Sequence, residues 1–132
     1  MQMCAGVLYS IEVCYPVCME KMIVDIEKFH DFATSDAGDR DKMAQLFIDQ
    51  AGVYLQELVS VHEYDAVEEW REVAHKFKGM AGFAGAVQLY ESCYRAQNEY
   101  DAERSERAEI LNIISRDVDE SVTYFKTYIK GM

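Results

Sequence analysis

The chain has one proline, Pro16, and only seven glycines in 132 residues. So few helix breakers argue against a linker-like or low-complexity chain and leave room for long helices. Half of the residues are hydrophobic, yet no run approaches the roughly 20 consecutive apolar residues of a membrane-spanning helix. Positive charge is scarce: 13 Lys and Arg stand against 24 Asp and Glu, for a formal net charge of −11. That balance argues against a nucleic-acid partner, which needs a basic footprint, and against an anionic membrane surface. After Met22 there is no strand-type alternation of useful length and no hairpin dipeptide. A glycine-rich phosphate loop ending in Lys-Ser or Lys-Thr is also missing, as is an acidic cluster of the kind that holds Mg²⁺. The chain therefore shows no ATP-binding machinery of its own.

Cysteines are few and unevenly placed. Cys4, Cys14 and Cys18 fall near the start, and Cys93 stands alone. Cys14 and Cys18 have a spacing that could bind metal, and a metal or redox protein is one reading of them. No second ligand pair accompanies them, so no metal site is expected. Reduced thiols in a cytoplasmic protein are the simpler reading. The stretch from Met1 to Lys21 has no clear period, and Pro16 interrupts any helix through it. It lacks a basic n-region, and Glu12 breaks its apolar run, so it does not read as a signal peptide. The expected organisation is an extension over residues 1–21 followed by one domain over 22–132, long enough for a single core.

Helical periods begin after Met22. Ile23, Ile26, Phe29 and Phe32 suggest a short first helix. The cluster Thr34 to Asp39 reads as a turn and cap. A second helix, about Arg40 to Val61, carries Met43, Leu46, Phe47, Val53, Tyr54, Leu58 and Val61 at spacings that suit one face. After a short link, Asp65 reads as an N-cap with Glu68 as its capping-box partner. The third helix should end around Gly82 to Gly85. A fourth follows from about Ala86 to Tyr100, with Leu89, Cys93 and Ala96 inward. Ser105 reads as the cap of a last helix. Its seam is Leu111, Ile114, Val118, Val122 or Ser121, Phe125 and Ile129. The fold predicted from these periods is all-α: an antiparallel four-helix bundle with a short additional N-terminal helix. Phe47, Leu58, Trp70, Phe77, Leu89, Ile114, Val118 and Phe125 should form its core.

One residue of the third helix stands apart. At about 100° per residue, with His75 at zero, Val73, Phe77, Met80 and Ala84 fall between roughly 140° and 200°. Arg71, Lys78, Gly79 and Gly82 fall within about 60° of His75. His75 thus points away from the core, amid two cations and two glycines. Each glycine costs roughly 1 kcal/mol of helix stability relative to alanine, and in return exposes backbone that a partner can approach closely. His30 and His62 have no such surroundings and read as surface residues.

His75-x-Phe77-Lys78-Gly79, followed by Gly85-Ala86, Leu89 and Cys93, resembles the signature of histidine-containing phosphotransfer (HPt) domains. Met80 departs from the small residue common at its position. The resemblance implies that His75 accepts a phosphoryl group from a receiver-domain aspartate and passes it to another receiver. A neutral imidazole suits that task, since its ordinary pKa is about 6.5. Lys78, one helical turn on, would offset the phosphoryl charge of about −2. Gln97, 22 residues after His75, occupies a spacing at which some HPt domains place a glutamine beside the phosphohistidine. Arg71, Gly79 and Gly82 would form the docking face.

The implied partners are response-regulator receiver domains and a hybrid sensor histidine kinase. The chain itself would need no cofactor, with Mg²⁺ supplied on the receiver, and a monomer is expected. It would be a carrier without kinase machinery. The competing reading is a helical module that docks on receivers without being phosphorylated.

Overall fold

The computed structural model describes residues 22–33 and 37–130. The extension, with Cys4, Cys14 and Cys18, lies outside the described residues. So does the start of the predicted turn at Thr34 to Asp36.

Five helices follow in order: α1 (Ile26–Phe32), α2 (Ala37–Glu63), α3 (Val67–Phe83), α4 (Val87–Asn98) and α5 (Arg104–Lys130). No strand occurs among the described residues. Helices α2 to α5 form a bundle in which α2 packs on α3, α3 on α4, α4 on α5 and α5 back on α2. The short loops between successive helices make neighbours antiparallel. Helix α1 lies across one end against α3. The predicted all-α architecture of four bundle helices plus a short first helix is the one observed.

All eight predicted core residues are buried, and Trp70, Phe77, Phe125, Leu58, Leu89 and Ile114 almost completely so. Phe29 of α1 closes the core by packing on Phe125, their ring centroids 5.0 Å apart, while Phe47 meets the same ring at 4.9 Å. Buried Trp70 donates its indole N–H to the Ala96 carbonyl at 2.9 Å, so burial leaves no unpaired donor there.

Two turns set the helix directions. At the end of α3, the Ala86 N–H reaches back to the Ala81 carbonyl and the Gly85 N–H to the Gly82 carbonyl. This is a Schellman ending, and it requires a left-handed residue. Gly85 supplies it with φ of 74°. At the end of α2, Ala66 and Asp65 bond in the same way to Val61 and His62. Here Asp65 is the left-handed residue, with φ of 52°.

That second turn corrects the predicted cap. Asp65 terminates α2 and does not start α3, whose N-cap is Ala66 with no side-chain cap bond. The Asp65 carboxylate is engaged instead by Arg107, a buried cation that also donates to the Tyr100 and Ala102 carbonyls. Ser105 likewise does not cap α5. The helix begins at Arg104, and the Glu103 carbonyl takes the first bonds, from Glu106 and Arg107.

Other side chains also depart from the predicted faces. Leu46 and Val53 are about half exposed, at 50% and 49%. The inward line of α2 runs through Ala44, Phe47, Ala51 and Leu58 instead, because the small alanines let the helices approach. In α5 the deepest positions are Ile110, Ile114, Ser121 and Phe125, with Leu111 and Val122 at the margin. Neither His30 nor His62 is a free surface residue. His30 is half-buried, its Nε2 3.2 Å from the Tyr128 hydroxyl. His62, also half-buried, packs on the Trp70 ring.

Candidate functional site

His75 is the central residue of α3 and is exposed. Two recesses meet at it. On the side toward α2 lies an apolar groove of about 500 Å³, with Leu46, Tyr54, Met80 and Phe83 in its lining. Phe32 and Phe83 stack at its rim with centroids 5.3 Å apart. Phe83 stays 64% exposed, so the rim is a sizeable unpartnered apolar surface. On the side toward α4 lies a polar cleft of about 380 Å³ lined by Glu68, Arg71, Glu72, His75, Lys76 and Gln97. His75 and Lys76 line both recesses.

The predicted site residues fall on both sides of this divide. Gly79 lines the groove, and a Cβ added there would meet nothing within 4 Å. Its face is open backbone. Gly82 is different, because a Cβ there would come within 3.3 Å of the Tyr90 ring. It sits under an α4 side chain, although it remains exposed. Lys78 is half-buried, with its ammonium 5.3 Å from the centroid of Tyr94. Arg71 lies 4.9 Å over the ring of Tyr100 and 4.0 Å from the Glu68 carboxylate. Gln97 shares the cleft with His75, and its Oε1 is buried without a hydrogen-bond partner. A buried amide oxygen left unpaired keeps its capacity to accept a hydrogen bond.

The sequence reading missed Lys76, the apolar groove and the two tyrosines. The wheel held part of the signal. On the geometry of about 100° per residue, Gly79, Phe83 and Lys76 lie on one side of His75. Lys78, Arg71 and Gly82 lie on the other. The sign of the angle separates Gly79 and Phe83, which line the groove, from Arg71, which lines the cleft. Lys76 lines both recesses, while Lys78 and Gly82 line neither and meet Tyr94 and Tyr90 of α4.

Other groups are chemically quiet. Among the described residues no cluster of three or more His, Cys, Asp or Glu could hold a metal ion, and no helix is long and apolar enough to cross a membrane. Burial, and secondarily the nearby Asp117, pushes the Cys93 thiol far up from its ordinary pKa. It is thus not a nucleophile at neutral pH.

The Hpt domain family matches this sequence over residues 42–123, a span that contains His75, Lys78, Gly79 and Gln97. The chain belongs to the Hpt domain family. An HPt domain serves phosphotransfer within a phosphorelay, a pathway that also involves receiver domains and kinases.

Solved structures agree on the fold. The chain is similar to histidine-containing phosphotransfer protein B (HptB) from Pseudomonas aeruginosa PAO1, with a TM-score of 0.77 at 17% identity, covering 83% of this chain and 96% of that one. It is also similar to a rice protein described as a histidine-containing phosphotransfer protein. There the TM-score is 0.75 at 20% identity, with 82% and 80% of the two chains covered. No curated protein matches the chain in sequence. At these identities the likeness concerns how the HPt bundle is built, and the roles of individual side chains rest on the geometry above.

Proposed function

We propose that His75 is the phosphoacceptor of this HPt domain, taking a phosphoryl group from a receiver aspartate and handing it to the aspartate of a second receiver. The observation that carries this reading is the position of His75: exposed, central in α3, and placed where a polar cleft meets an apolar groove. In the transfer, an imidazole nitrogen lone pair forms the N–P bond as the acyl-phosphate P–O bond breaks, and the aspartate leaves as a carboxylate. Such transfers have loose transition states, so positioning and charge neutralisation supply most of the catalysis.

Each neighbour has a task in this scheme. Lys78 offsets phosphoryl charge as it develops. Gln97 offers its unpaired Oε1 to a ring N–H, which would leave the other nitrogen free to attack. The apolar groove and the bare backbone at Gly79 receive the receiver's loops. Arg71, Lys76 and Lys78, set against Glu68 and Glu72 of the polar cleft, concentrate a small excess of positive charge around His75 on a chain whose net charge is −11. That concentration suits a partner with an acidic, phosphorylated pocket. The Mg²⁺ and the ATP-derived phosphoryl group come from the receiver and a hybrid sensor kinase.

The test is phosphotransfer from a panel of the host's phosphorylated receivers and hybrid kinases. At least one should transfer label to the wild type. Lys78→Ala should slow transfer about tenfold or more without abolishing it. Gly79→Glu should weaken docking through bulk and like charge. If no donor labels the wild type while receivers still bind it, the chain is a docking module and not a carrier.

A further inference from the structure

The outward strip of α3 runs antiparallel to one face of α4 and to the turn that follows it, which holds Tyr100, and the two meet in register. Gly82 lies against Tyr90, Lys78 against Tyr94, and Arg71 against Tyr100. His75 and Gln97 fall between the last two pairs and share the polar cleft. The two cations that bracket His75, one a turn before it and one a turn after, therefore each rest on a tyrosine ring. Tyr94 remains 48% exposed, so core packing alone does not account for it.

We propose that Tyr94 and Tyr100 are positioning residues that hold Lys78 and Arg71 beside His75, ready to exchange the ring for phosphoryl oxygens; this rests on the reading of His75 as the phosphoacceptor. A long cation loses considerable rotamer freedom when it is fixed. A chain with 24 carboxylates also offers it competing partners. A ring face restrains the charge on the α4 side of His75 and leaves the groove side open for the partner. The hold is weak enough to release: an exposed cation–π contact shifts an equilibrium about twofold to fivefold. A charge-assisted bond to a phosphoryl oxygen is stronger and wins once phosphate arrives. Because the attraction comes from the ring face, the hydroxyl is dispensable. Phenylalanine should replace tyrosine, and leucine should not.

The test uses potassium phosphoramidate, a small donor that phosphorylates imidazole with release of ammonia and needs no partner protein. The rate of phosphorylation at His75 is followed by NMR in the full chain. Tyr94→Leu and Tyr100→Leu should each be about threefold slower than wild type, while Tyr94→Phe and Tyr100→Phe match it. Tyr94→Leu should have no further effect in a Lys78→Gln background, nor Tyr100→Leu in an Arg71→Gln background. Should Tyr100→Leu disturb the fold, seen as a lost melting transition, the half-exposed Tyr94 decides between the outcomes. Equal rates in all variants, phenylalanine variants as slow as leucine ones, or leucine effects that persist without the cations would overturn the proposal and leave the phosphoacceptor reading intact. A wild type that never reacts at His75 would overturn both.

Discussion

Asp25 donates its backbone N–H to the Gly85 carbonyl at 2.7 Å, tying the start of α1 to the turn between α3 and α4. The Asp25 side chain also caps α1 by accepting from the Glu27 and Lys28 N–H groups. One residue thus orients α1 and fastens it to the helix pair that carries His75 and Gln97. The approach is close: a Cβ at Gly85 would lie 2.5 Å from the Asp25 carbonyl oxygen.

Gly85→Ala should therefore be among the more damaging single substitutions. The left-handed backbone alone costs a side chain about 1–2 kcal/mol, and the contact with Asp25 adds to it. Urea denaturation should show a lower midpoint with an unchanged slope. Gly79→Ala, with open space around it and a helical backbone, should leave stability the same or slightly raised.

Arg107 should matter more to stability than Asp65. Its side chain is 6% exposed and Asp65's is 52% exposed. Arg107→Met strands the Tyr100 and Ala102 carbonyls that it satisfies, at about 2 kcal/mol or more. Asp65→Asn removes a half-solvated charge and should cost about 1 kcal/mol or less. Chemical denaturation of the two variants side by side checks the order.

Stability should fall on mild acidification, with His62 contributing. Burial, then Arg104 and Arg107, lower its pKa from 6.5 against the opposing pull of Asp65 and Glu63. Near that pH the unfolded chain binds the proton more readily than the folded one, so stability drops as pH falls through about 6.5 and this contribution levels off below the folded pKa. Urea midpoints at pH 7.5 and 5.5 should differ less for His62→Gln than for wild type. Equal differences would show that His62 is uninvolved.

The bundle was legible because its strongest signals are local. Phe77 and Trp70 repeat with the helix period, and few breakers interrupt the helices. What was not legible depends on residues far apart in sequence. Asp65 and Glu68 imitate a capping box, but the carboxylate belongs to Arg107, 42 residues on. The apolar spacing of α2 puts Leu46 and Val53 on the inward face, yet both are about half exposed. In α2 the alanines make the close contacts, and the apolar residues beside them form the groove. The site divides in the same way. His75, Lys78 and Gly79 stand in one short motif, and Gln97 was reached through a family spacing. Tyr94 and Tyr100 depend on how α4 and the turn after it lie against α3, which no local pattern encodes.

The apolar stripes of the bundle all begin after Met22. Deleting residues 1–21 should accordingly leave a helical protein that melts cooperatively and still accepts phosphoryl groups. Loss of the melting transition in the truncated chain would place the extension within the folding unit.

The most direct test is to locate the phosphoryl group. His30, His62 and His75 are the chain's three histidines. After incubation with a cognate phosphorylated receiver, mass spectrometry under alkaline conditions should find one phosphoryl group, on His75, labile to acid and stable to base. His75→Gln should abolish labelling and leave the melting temperature nearly unchanged, since an exposed side chain contributes little to the core. Label persisting in His75→Gln, on His30 or His62, would contradict the assignment of the site.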